Sequence, residues 1–544
     1  MSTVRTVLLC LVAAVAARAQ PLSGVLPDVV IIVADDVGFG DVGYNGSDIR
    51  TPNWDRLAAE GVVLDRFYAA SQCSPSRAAL LTGRYGLRMG INDPVSPADT
   101  IGIPLSEVTL AEALGAAGYE TAAVGKWHLG DECHQHPTRH GFDSYVGVLG
   151  SGAHYFDRST YWGTDWWRNH EVEQVEGYTT DLLAVEAVEV LSRPRDGPVF
   201  LYLPFTASHG PFEARPEDLA DYAHLGEPRR TFAAMTARLD WAIGEVMDAI
   251  RRTGRPTLVW VLSDNGGHDR QGASNGPLRG RKGLTLEGGI RVPSVVWYAP
   301  LGAGRVEHPV WIADVLPTLL SLVEVERPAG PPLDGADQSA QLAGAPPTDA
   351  LLDRVLFSYR RVDADTLYWL SAQTARWKFV REPSRRAPRE ALYRIDLDPF
   401  EAADSLDVYP ERAAWLRDQA LAFRDQTWPG ASHDLSLTDL AVPDLSACPQ
   451  ALPSTPRPTD FDVWVGPNPF ASQTTVRLRM PASAAVRVDV LDALGRRVRT
   501  LFEGAVTDPE VAVPFRAGGL PSGVYLVRVS RGGPAVSVPV VLTR

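Results

Sequence analysis

Five short apolar runs, 29–34, 121–124, 199–203, 258–262 and 295–298, with Thr121 the one polar residue among them, constrain this chain more than any other feature. A strand with one wet face alternates apolar and polar residues. A run that is apolar throughout fits a strand covered on both faces, the usual state of a parallel sheet. Helical patterns lie between the runs. Thr109-Leu110-Ala111-Glu112 has the form of a capping box opening a helix that Gly118 ends. Phe232, Met235, Leu239, Ile243, Met247 and Ile250 form one apolar stripe stopped near Gly254. Strand and helix in alternation predict an α/β class with a mostly parallel central sheet flanked by helices.

Sheets of this kind gather ligands beyond the carboxyl ends of their strands. The first run leads into Asp35-Asp36, the second into Lys126-Trp127-His128, the third reaches His209 after a short loop, and the fourth leads into Asp264-Asn265. In one parallel sheet these four ends converge. Three carboxylates and an amide are hard oxygen donors that suit Ca²⁺ or Mg²⁺, not a soft metal, and no zinc-ligand spacing stands out. Alone, an Asp-Asp pair after a strand reads as a helix N-cap; the second acidic strand end favours a cation. Cys73 precedes a Pro-Ser-Arg turn and a short helix, where the helix N-terminus and Arg77 would lend it thiolate character. The alternative for an unpaired cysteine is a small buried hydrophobe.

The chain ends carry other signals. Arg5 precedes an apolar run over 7–17 and then Ala17-Arg18-Ala19, the pattern of a signal peptide over 1–19. That run is short of the about 20 residues a membrane span needs, so no transmembrane segment is expected after cleavage. The four cysteines cannot form a disulfide framework; Cys10 leaves with the leader, and whether Cys133 and Cys448 pair stays open. With 52 Lys+Arg against 66 Asp+Glu, the net charge of −14 repels nucleic acid, so none is expected as a partner. Prolines 443, 449, 453, 456 and 458 mark a linker over 434–460. Alternating Val476/Leu478, Val486/Val488/Val490 and a run over 524–529 then predict a small separate β-sandwich over 461–544.

Cys73-Ser74-Pro75-Ser76-Arg77 followed by Leu81-Thr82-Gly83-Arg84 resembles the signature of the type I, formylglycine-dependent sulfatases of the alkaline phosphatase superfamily. Six further landmarks agree in order: Asp35-Asp36-Val37-Gly38, Thr51-Pro52-Asn53-Trp54, Gly125-Lys126-Trp127-His128, Ser263-Asp264-Asn265-Gly266-Gly267, Leu278-Arg279-Gly280-Arg281-Lys282-Gly283 and Glu287-Gly288-Gly289-Ile290-Arg291. The resemblance implies the alkaline phosphatase-like sulfatase fold, with a catalytic domain over 27–330 and a smaller α+β C-terminal subdomain over 331–433. Near the other end, Pro467-Asn468-Pro469, Leu494-Gly495-Arg496 and Gly518-Gly519-Leu520-Pro521 resemble the sorting domain of type IX secretion cargo. That implies export through the periplasm to the surface or medium by the type IX machinery; a carbohydrate-binding or stalk module is the other reading.

The sulfatase resemblance implies a role for each polar strand-end residue. Cys73 is oxidised by a formylglycine-generating maturation enzyme to Cα-formylglycine, whose hydrated form attacks sulfur in line. Asp35, Asp36, Asp264, Asn265 and the modified Cys73 side chain hold Ca²⁺, with Mg²⁺ possible. Arg77 and Lys126 hold the nucleophile, Lys282 and His209 contact the sulfate ester, His209 protonates the leaving oxygen, and His128 takes a proton as sulfate is expelled. The implied substrate is a sulfated small molecule or carbohydrate. The rivals are a phosphodiesterase or phosphonate hydrolase of the same superfamily, a non-catalytic binder of sulfated glycans, and an adhesive surface protein. His134, His136 and His140 fit no zinc pattern well, and the aromatics Tyr155, Phe156, Tyr161, Trp162, Trp166 and Trp167 read as core before they read as a sugar platform.

Overall fold

The computed structural model describes residues 26–96, 101–160, 163–362 and 368–427, and in the C-terminal part 462–466, 472–479, 484–491, 497–506, 510–520, 523–530 and 535–542. The predicted leader, the predicted linker, Cys10, Cys448, Tyr161, Trp162, Pro467-Asn468-Pro469, Leu494-Gly495-Arg496 and Pro521 lie outside those residues.

Ten strands form the main sheet: β1 (Asp28–Ala34), β2 (Val62–Leu64), β3 (Glu120–Lys126), β4 (Ser144–Val148), β5 (Trp167–Arg168), β6 (Glu171–Val172), β7 (Val199–Pro204), β8 (Thr257–Ser263), β9 (Ser294–Trp297) and β10 (Gly304–Val306). Their order is β10-β2-β9-β8-β1-β7-β3-β4-β5-β6. The central five, β8-β1-β7-β3-β4, run parallel, while β9 and β5 join them antiparallel. The apolar run near 295 is thus a buried strand of reversed direction, because burial on both faces sets its composition while its connection sets its direction.

The pleat divides the core. Val29, Ile31 and Val33 of β1, with Leu258, Trp260 and Leu262 of β8, face one layer; Val30, Ile32, Val259 and Val261 face the other. The first layer contains α1 (Cys73–Thr82), all ten residues of which are buried, and α2 (Leu110–Ala116). The second contains α3 (Thr179–Ser192) and α4 (Arg229–Thr253). The expected capping box opens α2, with Thr109 accepting from Glu112 N at 3.1 Å and Glu112 accepting from Thr109 N at 2.7 Å. The apolar stripe of α4 is buried, and Gly254 ends it in the left-handed region. Each such buried aliphatic side chain contributes about 1.5–3 kcal/mol, so the sheet is a rigid platform for whatever projects from its edge.

A second, antiparallel sheet of β11 (Leu356–Arg361), β12 (Tyr368–Gln373), β13 (Lys378–Glu382) and β14 (Arg389–Tyr393) packs against α5 (Pro410–Thr427) through Leu370, Phe379, Leu392 and Leu416. Lys378 plugs it into the main body: its buried Nζ lies 2.9 Å from Glu287 Oε1 and 2.9 Å from Glu401 Oε1.

Seven further strands follow: β15 (Asp462–Gly466), β16 (Gln473–Arg479), β17 (Ala484–Leu491), β18 (Arg497–Val506), β19 (Glu510–Arg516), β20 (Gly523–Ser530) and β21 (Ala535–Leu542). They make antiparallel sheets β15-β16-β19 and β18-β17-β20-β21 that share one apolar cluster around Val476, Val488, Phe515 and Val527.

Candidate active site

Parallel strands place their carboxyl ends on one edge, and there the polar residues meet. Backbone bonds lock the ends together: Asp264 N donates to Ala34 O (3.1 Å), Asp35 N to Ala207 O (2.9 Å) and Ser208 N to Asp35 O (2.7 Å). Neither aspartate caps a helix, since the next turn, Phe39–Asp41, starts from Gly38. Asp36 and His128 both sit at positive φ, 63° and 58°, conformations that non-glycine residues adopt where the surroundings impose them.

Three cations meet these carboxylates. Lys126 Nζ lies 2.6 Å from Asp35 Oδ2. Arg77 reaches Asp264 Oδ2 with Nε at 3.1 Å and Nη2 at 2.8 Å, and donates to Lys126 O at 2.9 Å. Lys282 Nζ lies 2.6 Å from Asp36 Oδ1, which also accepts from Asn265 Nδ2 at 2.7 Å. All seven side chains are buried or nearly so. Burial opposes charge on Asp36, but Lys282 and His209 outweigh it and hold that carboxyl below the usual range. Asp264 is pushed up to about 6, first by burial and then by the neighbouring Asp35 carboxylate. Burial also opposes charge on Lys282, and Asp36 more than restores it.

Cys73 is the first residue of α1 and is 1% exposed. The expected thiolate does not follow: burial pushes this thiol up, outweighing Lys126 and Lys282, while Asp35 and Asp264 push it the same way. A helix N-terminus cannot ionise a group shut off from water between two carboxylates. As a plain thiol, position 73 is a weak nucleophile.

The two histidines differ. His128 Nε2 lies 3.0 Å from Val95 O, so it carries the proton, and the buried Nδ1 has no hydrogen-bond partner. Burial, then Lys126 and Arg77, hold this ring well below the usual histidine range, which makes Nδ1 a bare proton acceptor. His209 Nδ1 donates to Gly210 O at 2.7 Å, leaving Nε2 to face Asp36 Oδ2 at 4.0 Å. Burial and Lys126 push His209 down to about 4.

The donor set suits a hard cation. Asp35 Oδ1 and Asn265 Oδ1 are buried without a hydrogen-bond partner, a cost of about 1–3 kcal/mol each that a cation would remove. Asn265 Nδ2 is bound to Asp36 Oδ1 and Gly266 O, which turns the amide oxygen away from them. Ligand atoms of Asp35, Asp36 and His209 lie within 4.8 Å of one another, the one such group among the described residues.

Sequence reading missed Asn275. Its Oδ1 accepts from Gly267 N at 2.9 Å, and its Nδ2 donates to Gly267 O at 3.0 Å and Gly280 O at 3.1 Å, tying the turn after Asn265 to the turn that carries Lys282. An asparagine in a Gly/Ser loop carries no periodic signal that would single it out. Tyr155, Trp166 and Trp167 are core residues, whereas Phe156 is 47% exposed. Cys133 is disulfide-bonded, leaving Cys73 as the free cysteine among the described residues. Asp314 holds Arg354 (2.7 and 2.6 Å) and Asp334 holds Arg88 (2.7 Å), structural contacts both.

The profile of the sulfatase family matches residues 27–325. Arylsulfatase J of Mus musculus is 39% identical over 330 residues, 57% of this chain and 55% of that protein. N-acetylgalactosamine-6-sulfatase of Mus musculus is 34% identical over 367 residues, 61% of this chain and 69% of that protein. The chain thus spans about half to two thirds of these relatives. Among solved structures, Ps i-CgsB in complex with k-i-k-neocarrahexaose is similar with a TM-score of 0.68 at 29% identity, covering 74% of this chain and 93% of that one.

Proposed function

This chain belongs to the sulfatase family, and from that premise we propose that it hydrolyses sulfate monoesters of a carbohydrate, using Cα-formylglycine formed from Cys73 beside a bound Ca²⁺. The observation that carries the reading is the convergence of Asp35, Asp36, Asp264 and Asn265 with Lys126, Lys282 and Arg77 around position 73. Two similar proteins support a carbohydrate: N-acetylgalactosamine-6-sulfatase in sequence and a neocarrahexaose complex in structure.

Asp35, Asp36, Asp264, Asn265 and the converted side chain would hold the cation, which supplies positive charge at the sulfuryl oxygens and at the nucleophile. Conversion of Cys73 removes a thiol that burial keeps protonated and supplies an oxygen nucleophile in its place. A sulfate monoester is an anion, and bare carboxylates would repel it; Lys126, Lys282 and Arg77 balance the three carboxylates, and a bound cation would turn the local field positive. His128 Nδ1, unpartnered and unprotonated, accepts a proton at position 73. His209, fixed through Nδ1, offers Nε2 to the leaving alcohol oxygen; an anionic ester beside it favours the protonated ring, opposing the burial that depresses it.

The same proposal includes export. The leader over 1–19 and the sorting-domain resemblance of 461–544 support it, with a maturation enzyme acting on the cysteine beforehand. Among the described residues no helix is long and apolar enough to cross a membrane. A variant ending at residue 433 should be retained in the periplasm of the native host.

The test is peptide mass analysis across residues 71–77 of protein from its own host, joined to a sulfate-release screen over sulfated sugars and an aryl sulfate. Conversion of Cys73 together with release supports the proposal. Brisk release from protein with an unmodified cysteine overturns the mechanism, and converted protein with no release from any ester overturns the activity.

A further inference from the structure

The mouth of the site is completed from the C-terminal subdomain. β11 carries Arg360, whose Nη1 donates to Gly283 O at 2.8 Å. Gly283 directly follows Lys282, and Gly283 N donates to Ser71 O at 2.7 Å, two residues before Cys73. The guanidinium therefore holds the turn that carries Lys282, and that turn is itself bonded to the segment leading into Cys73. The fit is close: Gly283 has φ +82°, and a Cβ there would overlap the guanidinium and come within 3.3 Å of Gln72 Nε2.

Holding one carbonyl does not require a guanidinium. It uses one of five donors. Among the described residues Arg360 Nε is buried without a hydrogen-bond partner and no bond engages Nη2, while the side chain as a whole is 32% exposed. Among the described residues its acidic neighbour is Asp93, whose Oδ1 is 4.0 Å from Nε, beyond hydrogen-bond length. Asp93 is itself pushed up by burial, with Arg360 and Arg361 pulling it down. On the other side of Lys282, Arg281 is also part exposed, 3.6 Å from Asp269. Lys282 is bound to Asp36 inside the site, whereas these two arginines stand part exposed beside it.

A planar fork with unspent donors matches the paired oxygens of a carboxylate or a sulfate. We propose that Arg360 binds a second anionic group of the substrate, next to the ester cleaved at position 73, and that the substrate is a polyanionic saccharide in place of a singly sulfated one. The second anion is a further sulfate or a uronate carboxylate. This inference rests on the sulfatase reading.

The experiment compares purified wild type, Arg360→Gln and Asp93→Asn on four esters: an aryl sulfate, a monosulfated disaccharide, the same disaccharide with a second sulfate, and one with a uronate. Arg360→Gln should lower kcat/KM on one or both dianionic disaccharides by about tenfold or more, through KM, beyond its effect on the aryl sulfate. Raising salt from about 0.05 to 0.5 M should raise the wild-type KM for that disaccharide and change the variant's much less. Asp93→Asn, which removes the competing carboxylate, should lower that KM. The arm with the greater loss identifies the second anion. Equal losses on all four esters would reduce Arg360 to a support for Gly283, and no loss on either dianion would sink the proposal outright. Failure of the wild type to cleave any of the four would count against the sulfatase reading, which separates the two failures.

Discussion

Lys126 Nζ lies 2.6 Å from Asp35 Oδ2, and both side chains are fully buried. A buried ion pair contributes little net stability when complete, but loss of one partner strands the other charge. Lys126→Met should therefore destabilise the metal-free protein by about 3–5 kcal/mol in chemical denaturation. Added Ca²⁺ should recover part of this, because it would add charge at a carboxylate left with the more distant Arg77, 3.5 Å away. A variant as stable as the parent in chelator would contradict the geometry.

Removal of divalent cations should lower both the melting temperature and sulfate release, with Ca²⁺ restoring them. Asn265→Ala deletes an amide oxygen that points at no protein donor. It should weaken Ca²⁺ binding by about tenfold or more, measured by calorimetry on the chelated protein. An unchanged affinity would remove Asn265 from the ligand set.

Cys73→Ala should abolish turnover of every sulfate ester. The site is buried and the change small, so the melting temperature should move by only a few degrees. Activity above about one per cent of wild type would refute the nucleophile assignment.

His140 provides a pH signature outside the catalytic groups. Its ring is buried against Trp127, with centroids 5.9 Å apart, and burial followed by His134 pushes it down to about 4 from 6.5. A histidine depressed in the folded state contributes stability that is complete above the unfolded value, about 6.5, and is lost as pH falls toward 4, since only the unfolded chain gains the proton in that window. The shift corresponds to about 3 kcal/mol. His140→Gln should flatten the fall in denaturation free energy between pH 7 and 4 by about that amount; parallel curves for the two proteins would exclude it as a contributor.

Lys378 joins the subdomain to the main body by bridging Glu287 and Glu401. Lys378→Met takes the shared cation from both carboxylates, leaving Glu287 with Tyr68 and Arg291 and Glu401 with the Glu287 backbone N–H, and should cost about 3 kcal/mol. Since β11 also brings Arg360 to Gly283, the single variant should raise KM before it abolishes turnover. Hydrogen exchange faster in β13 than in β1 would show that the docking is what loosens.

Much of the main sheet and its helices is legible in local sequence. The apolar runs of β1, β3, β7 and β8 specify burial on both faces, and the caps and stripes of α2 and α4 depend on neighbours three or four residues away. The metal and sulfate candidates could be named because each closes a strand or sits in a motif of recognisable residue types. The thiolate expectation failed because ionisation depends on solvent access and on Asp35 and Asp264, which lie far away in the chain. Asn275 escaped for a related reason, as its partners are backbone groups in two turns that only folding brings together.

Sequence alone therefore determined which residues are buried strands, which helices cap them, and which chemical types stand at the strand ends, since those follow from short-range patterning and from the parallel topology it implies. Tertiary structure alone decided which nitrogen of His128 is bare, which oxygens lack partners, that burial opposes ionisation of the Cys73 thiol, and that Arg360 from a different sheet reaches the turn carrying Lys282. Those are properties of distance and dielectric between residues remote in the chain, and no local pattern encodes them.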